Sequence, residues 1–551
     1  MAPYRIHHLN ARMSPSHLLP ALVAVSLLLG TPLSAVELPP ELPLLEKYPS
    51  PVPRQVFTLD LAGQEKALET NLLMLRFAAS RKKLSADRHR PAYHFVSPES
   101  TLNDPNGLCF WQGRWHLFYQ AYPPEDPRQH WGHTVSDDLV HWRDLPYAIY
   151  PGIERMCYSG STVAEPHQVV AFYPGVEPGQ MVAVSKDPLL LNWEKIRGNP
   201  VTRPGQPMGD SCIWKQDDAY YGLVGSRCLL TSTNLEEWRV CNSNFLEGFP
   251  IDDGSCPNFQ PIGEKHILLF FSHDRGGQCL LGDYDRRKLT FRPYEHGRFN
   301  HGKVAPAGVH APSAAADGKG NVINILNINE GRPAKGWDHL FSLAQQLGLG
   351  PDKRLRIAPV AATASLRDGH QHVGQTVLPA NQDVVLKAIQ GDTLELDVEI
   401  APQSSRWVQL QVLRSPNAEE QTSITFYNFP AKVNTWYHAP SMLCLDGSRA
   451  STLPDASARP PEQVELERGS DPLRLRVFID RAVVAFRCKS GGGQLAPIPG
   501  TERGRCGAGQ CGTADKVDDH REREVGGRRA GLGLVLSDCL GRARFPNVRR
   551  Q

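Results

Sequence analysis

Between residues 136 and 291 the chain writes the same phrase four times: a polar turn, a leucine, then an aromatic. The copies are "SDDLVHW" ending at Trp142, "KDPLLLNW" at Trp193, "STNLEEW" at Trp238 and "YDRRKLTF" at Phe291. A spacing of roughly 50 residues, filled by short apolar runs such as "RWHLFYQ", "YYGLVGS" and "HILLFFSH", holds about four short strands. That is the period of a β-propeller blade. Four marked repeats with unmarked sequence on both sides predict an all-β, five-bladed propeller over residues 90–352.

The texture changes at about residue 353. "TLELDVEI", "SRWVQLQVL", "TSITFYNF" and "LRLRVFIDRAVVAF" alternate apolar and polar at period two, which predicts half-exposed antiparallel strands and a β-sandwich over 353–487. The Gly- and Arg-rich segment 488–551 breaks this pattern. It reads as a disordered tail or as a shifted frame over the sandwich's last strands.

Ahead of the propeller, Arg5 and Arg12 precede the apolar run "LLPALVAVSLLLG" and the small residues Ser34 and Ala35. That order predicts a signal peptide over residues 1–35, with an uncleaved anchor as the alternative, and places the mature chain outside the cytoplasm, secreted or periplasmic. Residues 36–89 form a Pro-rich lead-in and one helix from Leu61 to Leu84.

The chain has 551 residues and a formal net charge of +2, with basic residues scattered until the far C-terminus. This excludes a nucleic-acid groove and a polybasic membrane patch, and favours a neutral or small-molecule partner. Oligomeric state is not legible. The twelve cysteines are irregularly spaced and form no CxxC, so no metal site and no cofactor is inferred. Cys228 and Cys241 either close a hairpin or remain thiols.

Three acidic turns are candidates for chemistry. In "LNDPNG", Asp104 sits where backbone N–H groups could keep a carboxylate ionised and nucleophilic, although the same residues make ordinary turns. In "GQPMGDSCIW", Asp210 precedes an apolar strand and reads equally as a turn cap. In "FPIDDGSCPNFQPIG", repulsion between Asp252 and Asp253 could raise one pKa into the range of a general acid, or the turn is simply solvated.

Order and spacing add to these readings. "YHFVSPESTLNDPNG", "RWHLFYQ", "HWGHTVSDDLVHW", "CYSGSTV" and "SCPNFQPIG", with "LRLRVFIDRAVV" later, resemble in sequence order the blocks of glycoside hydrolase family 32, the invertase, levanase and inulinase group. The resemblance implies a propeller followed by a sandwich, and retaining hydrolysis of a β-fructofuranoside in an oligo- or polysaccharide. It implies Asp104 as nucleophile and Asp210 as the aspartate that holds sugar hydroxyls. Asn103, Gln120, Trp131, Tyr158 and Ser159 fall in the blocks that line the sugar pocket.

The departures are specific. Ser255 stands where the family has the acid/base Glu before Cys-Pro; Gly209, Asp210 and Ser211 replace Arg-Asp-Pro; Tyr122 stands where Asn is favoured. Asp253, in the same loop, is the expected substitute acid, with Glu330 as another. A propeller that binds sugar without cleaving it, or a furanosidase of a neighbouring five-bladed family with a relocated acid, are the alternatives.

Overall fold

Innermost strands run Ser100–Trp111, Ser161–Ala164, Ser211–Gln216, Ser255–Ile262 and Val309–Ala316, and each packs against the next until the fifth meets the first. Three further strands pair outward from each in antiparallel order, giving five blades around one axis. The computed structural model describes residues 46–299, 308–329, 336–429, 440–454, 461–466 and 472–489, with the strand backbones 495–498, 533–539, 543–545 and 548–550. The expected signal segment 1–35 and the alternative acid Glu330 lie outside the described residues.

The repeated phrase is the turn between the third and fourth strands of the first four blades. In each copy one leucine adopts a left-handed backbone: Leu139, Leu190, Leu235 and Leu289, with φ of 68°, 51°, 69° and 56°. A β-turn side chain upstream makes that conformation affordable by accepting turn N–H groups. Asp138 takes those of Val140 and His141, and Asp187 those of Leu191 and Asn192. Asn234 and Asp285 do the same in blades three and four. The closing aromatic then returns to the blade interior, as the buried Trp193, Trp238 and Phe291 show.

The expected single helix is two. α1 (Leu61–Glu69) and α2 (Leu72–Leu84) are separated because Asn71 leaves the helical conformation to cap α2, its side chain accepting from Leu73 N and Met74 N. Leu73 and Phe77 of α2 pack into the first blade, Phe77 edge-on to Tyr147 at 5.5 Å. Arg81 reinforces this contact through Asp144, Nη2 to Oδ1 at 2.6 Å.

Among the described residues the sandwich has two six-stranded sheets and a two-stranded pair, Thr376–Leu378 with Ala543–Phe545. Of the tail, the backbone of several strands is described. Gly533–Cys539 lies between Asp383–Gln390 and Trp407–Arg414, and Val548–Arg550 lies between Gln371–Val373 and Thr393–Ile400. The last strands therefore occupy interior positions of both sheets, and a stretch as short as "GLVLSDC" shows too little period to stand out in Gly- and Arg-rich surroundings. Cys228 and Cys241 are free thiols on neighbouring strands, the second bonding Leu229 O rather than its counterpart.

Candidate active site

Antiparallel pairing breaks on three innermost strands, between Leu102 and Pro105, Ser255 and Asn258, and His310 and Pro312. Such bulges re-aim side chains out of the alternating pattern. They release Asp104, Cys256 and His310 toward one another. Cys256 and Ala311 carry the positive φ values, 50° and 29°, that accompany this bending.

Asp104 is 5 % exposed and its carboxylate is surrounded by donors. Oδ2 accepts from Ser159 Oγ at 2.6 Å, Gln120 Nε2 at 3.2 Å and Cys256 Sγ at 3.4 Å, while His310 Nδ1 lies 3.1 Å from Oδ1. Burial alone would push this carboxyl up. The neighbouring His310 and the Ser159 and Cys256 donors outweigh it and hold the group below the ordinary aspartate range. Asp104 is thus an ionised, oriented carboxylate in a dry setting.

Asp210 faces the other side of the same cysteine. Its Oδ2 accepts the backbone N–H of Cys256 at 3.0 Å and the thiol at 3.3 Å, so one residue bridges the two carboxylates. Burial and the charge of Asp104 push Asp210 up to about 6, against the pull of the Cys256 donors. The turn to Ser159 is equally tight: a Cβ at Gly160 would come within 2.3 Å of the Phe172 carbonyl oxygen.

The expected pocket residues divide into two layers. Gln120 is buried and spends its amide internally, Nε2 on Asp104 and Ser159, Oε1 accepting from Asn103 Nδ2 at 3.0 Å and Gln129 Nε2 at 2.9 Å. Asn103 is held in turn by Asn327 Nδ2 at 2.8 Å. Trp131 needs correcting as a sugar-lining residue. It is 0 % exposed, packed against Phe118 and Tyr173, and its indole N–H donates to the Tyr158 carbonyl at 3.0 Å. It lies on His130–Ser136, a strand buried throughout, and there it holds Tyr158, the aromatic that does reach solvent at 39 % exposure.

Asp253 also needs correcting as a general acid. Its oxygens are bound by His273 and by Ser255 Oγ at 2.9 Å, and hydrogen bonds from Asp252, His273 and Ser255 overcome burial to hold it at about 2. A group that gives up its proton so readily has none to donate near neutral pH. The carboxyl that is raised is Asp252, by burial first and then by its hydrogen bond with Asp253, against the pull of Arg275 Nη2 at 2.9 Å.

Sequence reasoning missed His310, Gln129, Asn327 and the bridging role of Cys256. The only local signal was the Cys-Pro and His-Ala-Pro pairs that mark the bulges.

Comparison with known proteins identifies the family and the fold. The glycosyl hydrolases family 32 N-terminal domain model matches residues 94–359, and the C-terminal domain model residues 362–484. A sucrose-6-phosphate hydrolase of Escherichia coli is 26% identical over 441 residues, covering 72% of this chain and 86% of the relative. A levanase of Bacillus subtilis (strain 168) is 27% identical over 476 residues, covering 75% and 67%. The crystal structure of fructan 1-exohydrolase IIa from Cichorium intybus superposes with a TM-score of 0.70 at 20% identity, covering 84% of this chain and 97% of that one.

Proposed function

The chain belongs to glycosyl hydrolases family 32, and from that premise we propose that it hydrolyses β-fructofuranosides with retention, Asp104 acting as the nucleophile. The observation that carries the reading is the Asp104 carboxylate: buried, kept ionised by His310 and Ser159, and joined through Cys256 to a second carboxylate. In this reading Asp104 attacks the anomeric carbon and forms a glycosyl ester, which water then opens. Asp210, bound to a backbone N–H, accepts from sugar hydroxyls, and Asn103 and Tyr158 complete the rim. Fructose-containing oligo- or polysaccharides are the substrate class, in line with the names of the relatives above. The apolar run at residues 18–30 supports export of the mature chain.

The test is turnover of sucrose, 1-kestose, inulin and levan, with the configuration of the first-formed fructose read by NMR. Retention, and loss of turnover in Asp104→Asn with sugar binding kept, is the expected result. Ser255 in place of a glutamate favours a second reading, a sugar-binding propeller without catalysis. Binding with no turnover on any of these substrates, nor on aryl furanosides, would establish it.

A further inference from the structure

Ser255 cannot protonate a departing alkoxide near neutral pH, yet the atoms around it form an acid of another kind. Asp253 Oδ2 contacts His273 Nδ1, and Asp253 Oδ1 also accepts the backbone N–H of His273 at 3.3 Å. Ser255 Oγ lies 2.9 Å from the same carboxylate oxygen and 3.3 Å from the same ring nitrogen. Every polar contact of the imidazole therefore falls on Nδ1, and among the described residues Nε2 has no partner. The His273 side chain is 57% exposed and so open to a ligand. It also sits beside the nucleophile's own neighbourhood. Its ring centroid is 6.4 Å from that of His310, which contacts Asp104, and Phe271 packs edge-on against both histidines.

We propose that His273, oriented by Asp253, is the proton donor that replaces the missing glutamate. The inference rests on the hydrolytic reading above. In the first step the Nε2 proton passes to the glycosidic oxygen while its bond to the anomeric carbon breaks and Asp104 forms the ester. In the second, the neutral imidazole takes a proton from the water that attacks that carbon. The water oxygen displaces Asp104, and carboxylate and imidazolium return to their starting states. Asp253 stays ionised throughout, as a positioning residue that fixes the Nδ1–H tautomer and offsets the ring's positive charge. Asp210 is poorly suited to this task, since its Oδ2 is committed to the N–H and thiol of Cys256.

Two substrates separate proton donation from nucleophilic attack. 1-Kestose loses an alkoxide that needs a proton; β-fructofuranosyl fluoride loses fluoride with little assistance. His273→Ala is expected to lower turnover of 1-kestose about 100- to 10,000-fold while a burst of fluoride release persists. Azide, a nucleophile that needs no base, then restores turnover of the fluoride. Asp253→Asn is expected to lower 1-kestose turnover less, in kcat rather than in KM. Unchanged 1-kestose turnover in His273→Ala, or an equal loss of the fluoride burst, would overturn the assignment. A wild-type protein that releases no fluoride would instead overturn the hydrolytic reading itself.

Discussion

Asp480, at the end of a sandwich strand and wholly buried, holds His94 at the entrance to the propeller by two atoms at once, the backbone N–H and ring Nδ1, each 2.9 Å from Oδ2. The same carboxylate accepts Ala92 N at 2.6 Å and Tyr93 N at 2.9 Å, and next to it Arg481 Nη1 donates to Arg90 O at 2.7 Å. Burial opposes ionisation of Asp480, but these donors, His94 foremost, pull its pKa down. Asp480→Ala takes their shared acceptor from three backbone N–H groups and from the buried His94 ring, and is expected to cost about 3–5 kcal/mol in urea unfolding. A loss below about 1 kcal/mol would mean that the two parts hold together without this contact.

Ser159→Ala removes the shortest donor to Asp104. With less help the carboxyl titrates higher, so the acidic limb of the kcat/KM profile moves to higher pH. At neutral pH the loss is about 10- to 100-fold, the worth of one hydrogen bond to a charged group. An unmoved limb would show that His310 alone sets the ionisation.

Asp210→Asn exchanges activity for stability. The folded carboxyl, at about 6, titrates above its unfolded value of 3.8. Its contribution is therefore fully favourable below 3.8, is lost as pH rises through 6, and leaves a cost at pH 7. The neutral amide is expected to raise stability at pH 7 by about 1 kcal/mol and to have little effect at pH 4, while turnover falls. Thermal unfolding at the two pH values reads the difference.

Trp131→Phe tests whether this residue lies under the pocket or lines it. A supporting role predicts a loss of about 1–3 kcal/mol in unfolding, from the lost volume and the lost bond to Tyr158 O, with a higher KM as Tyr158 loosens. Weaker sugar binding at unchanged stability would return Trp131 to the pocket wall.

The first blade also carries an acid liability. His116 Nδ1 and His133 Nε2 are 3.0 Å apart in a buried pair, and burial pushes His116 down to about 3 from 6.5; burial and His116 lower His133 as well. Between these values the unfolded chain binds protons that the folded chain refuses, so stability is intact above pH 6.5 and falls as pH drops toward 3. Urea midpoints should decline across that interval, and a His116→Phe, His133→Phe double variant should flatten the slope.

What depends on near neighbours along the chain is readable before folding. Period-two strands, the turn phrase with its left-handed leucine, and acids in turns are all local, so the five blades, the sandwich and the positions of Asp104 and Asp210 were legible. So was the absence of glutamate at Ser255. Asn71 was legible in principle, but its capping of α2 was hidden because Leu68, Leu72 and Leu75 keep an apparent helical rhythm across the break. Which atoms meet is set by long-range packing. Bulges on three innermost strands bring Asp104, Cys256 and His310 together from distant segments, and burial and charge at that meeting separate the pKa values of the two carboxylates. The contact of Asp253 with His273 holds that carboxyl low, because a carboxyl's proton affinity is set by what packs against it, and this neighbour is named only after the chain has folded.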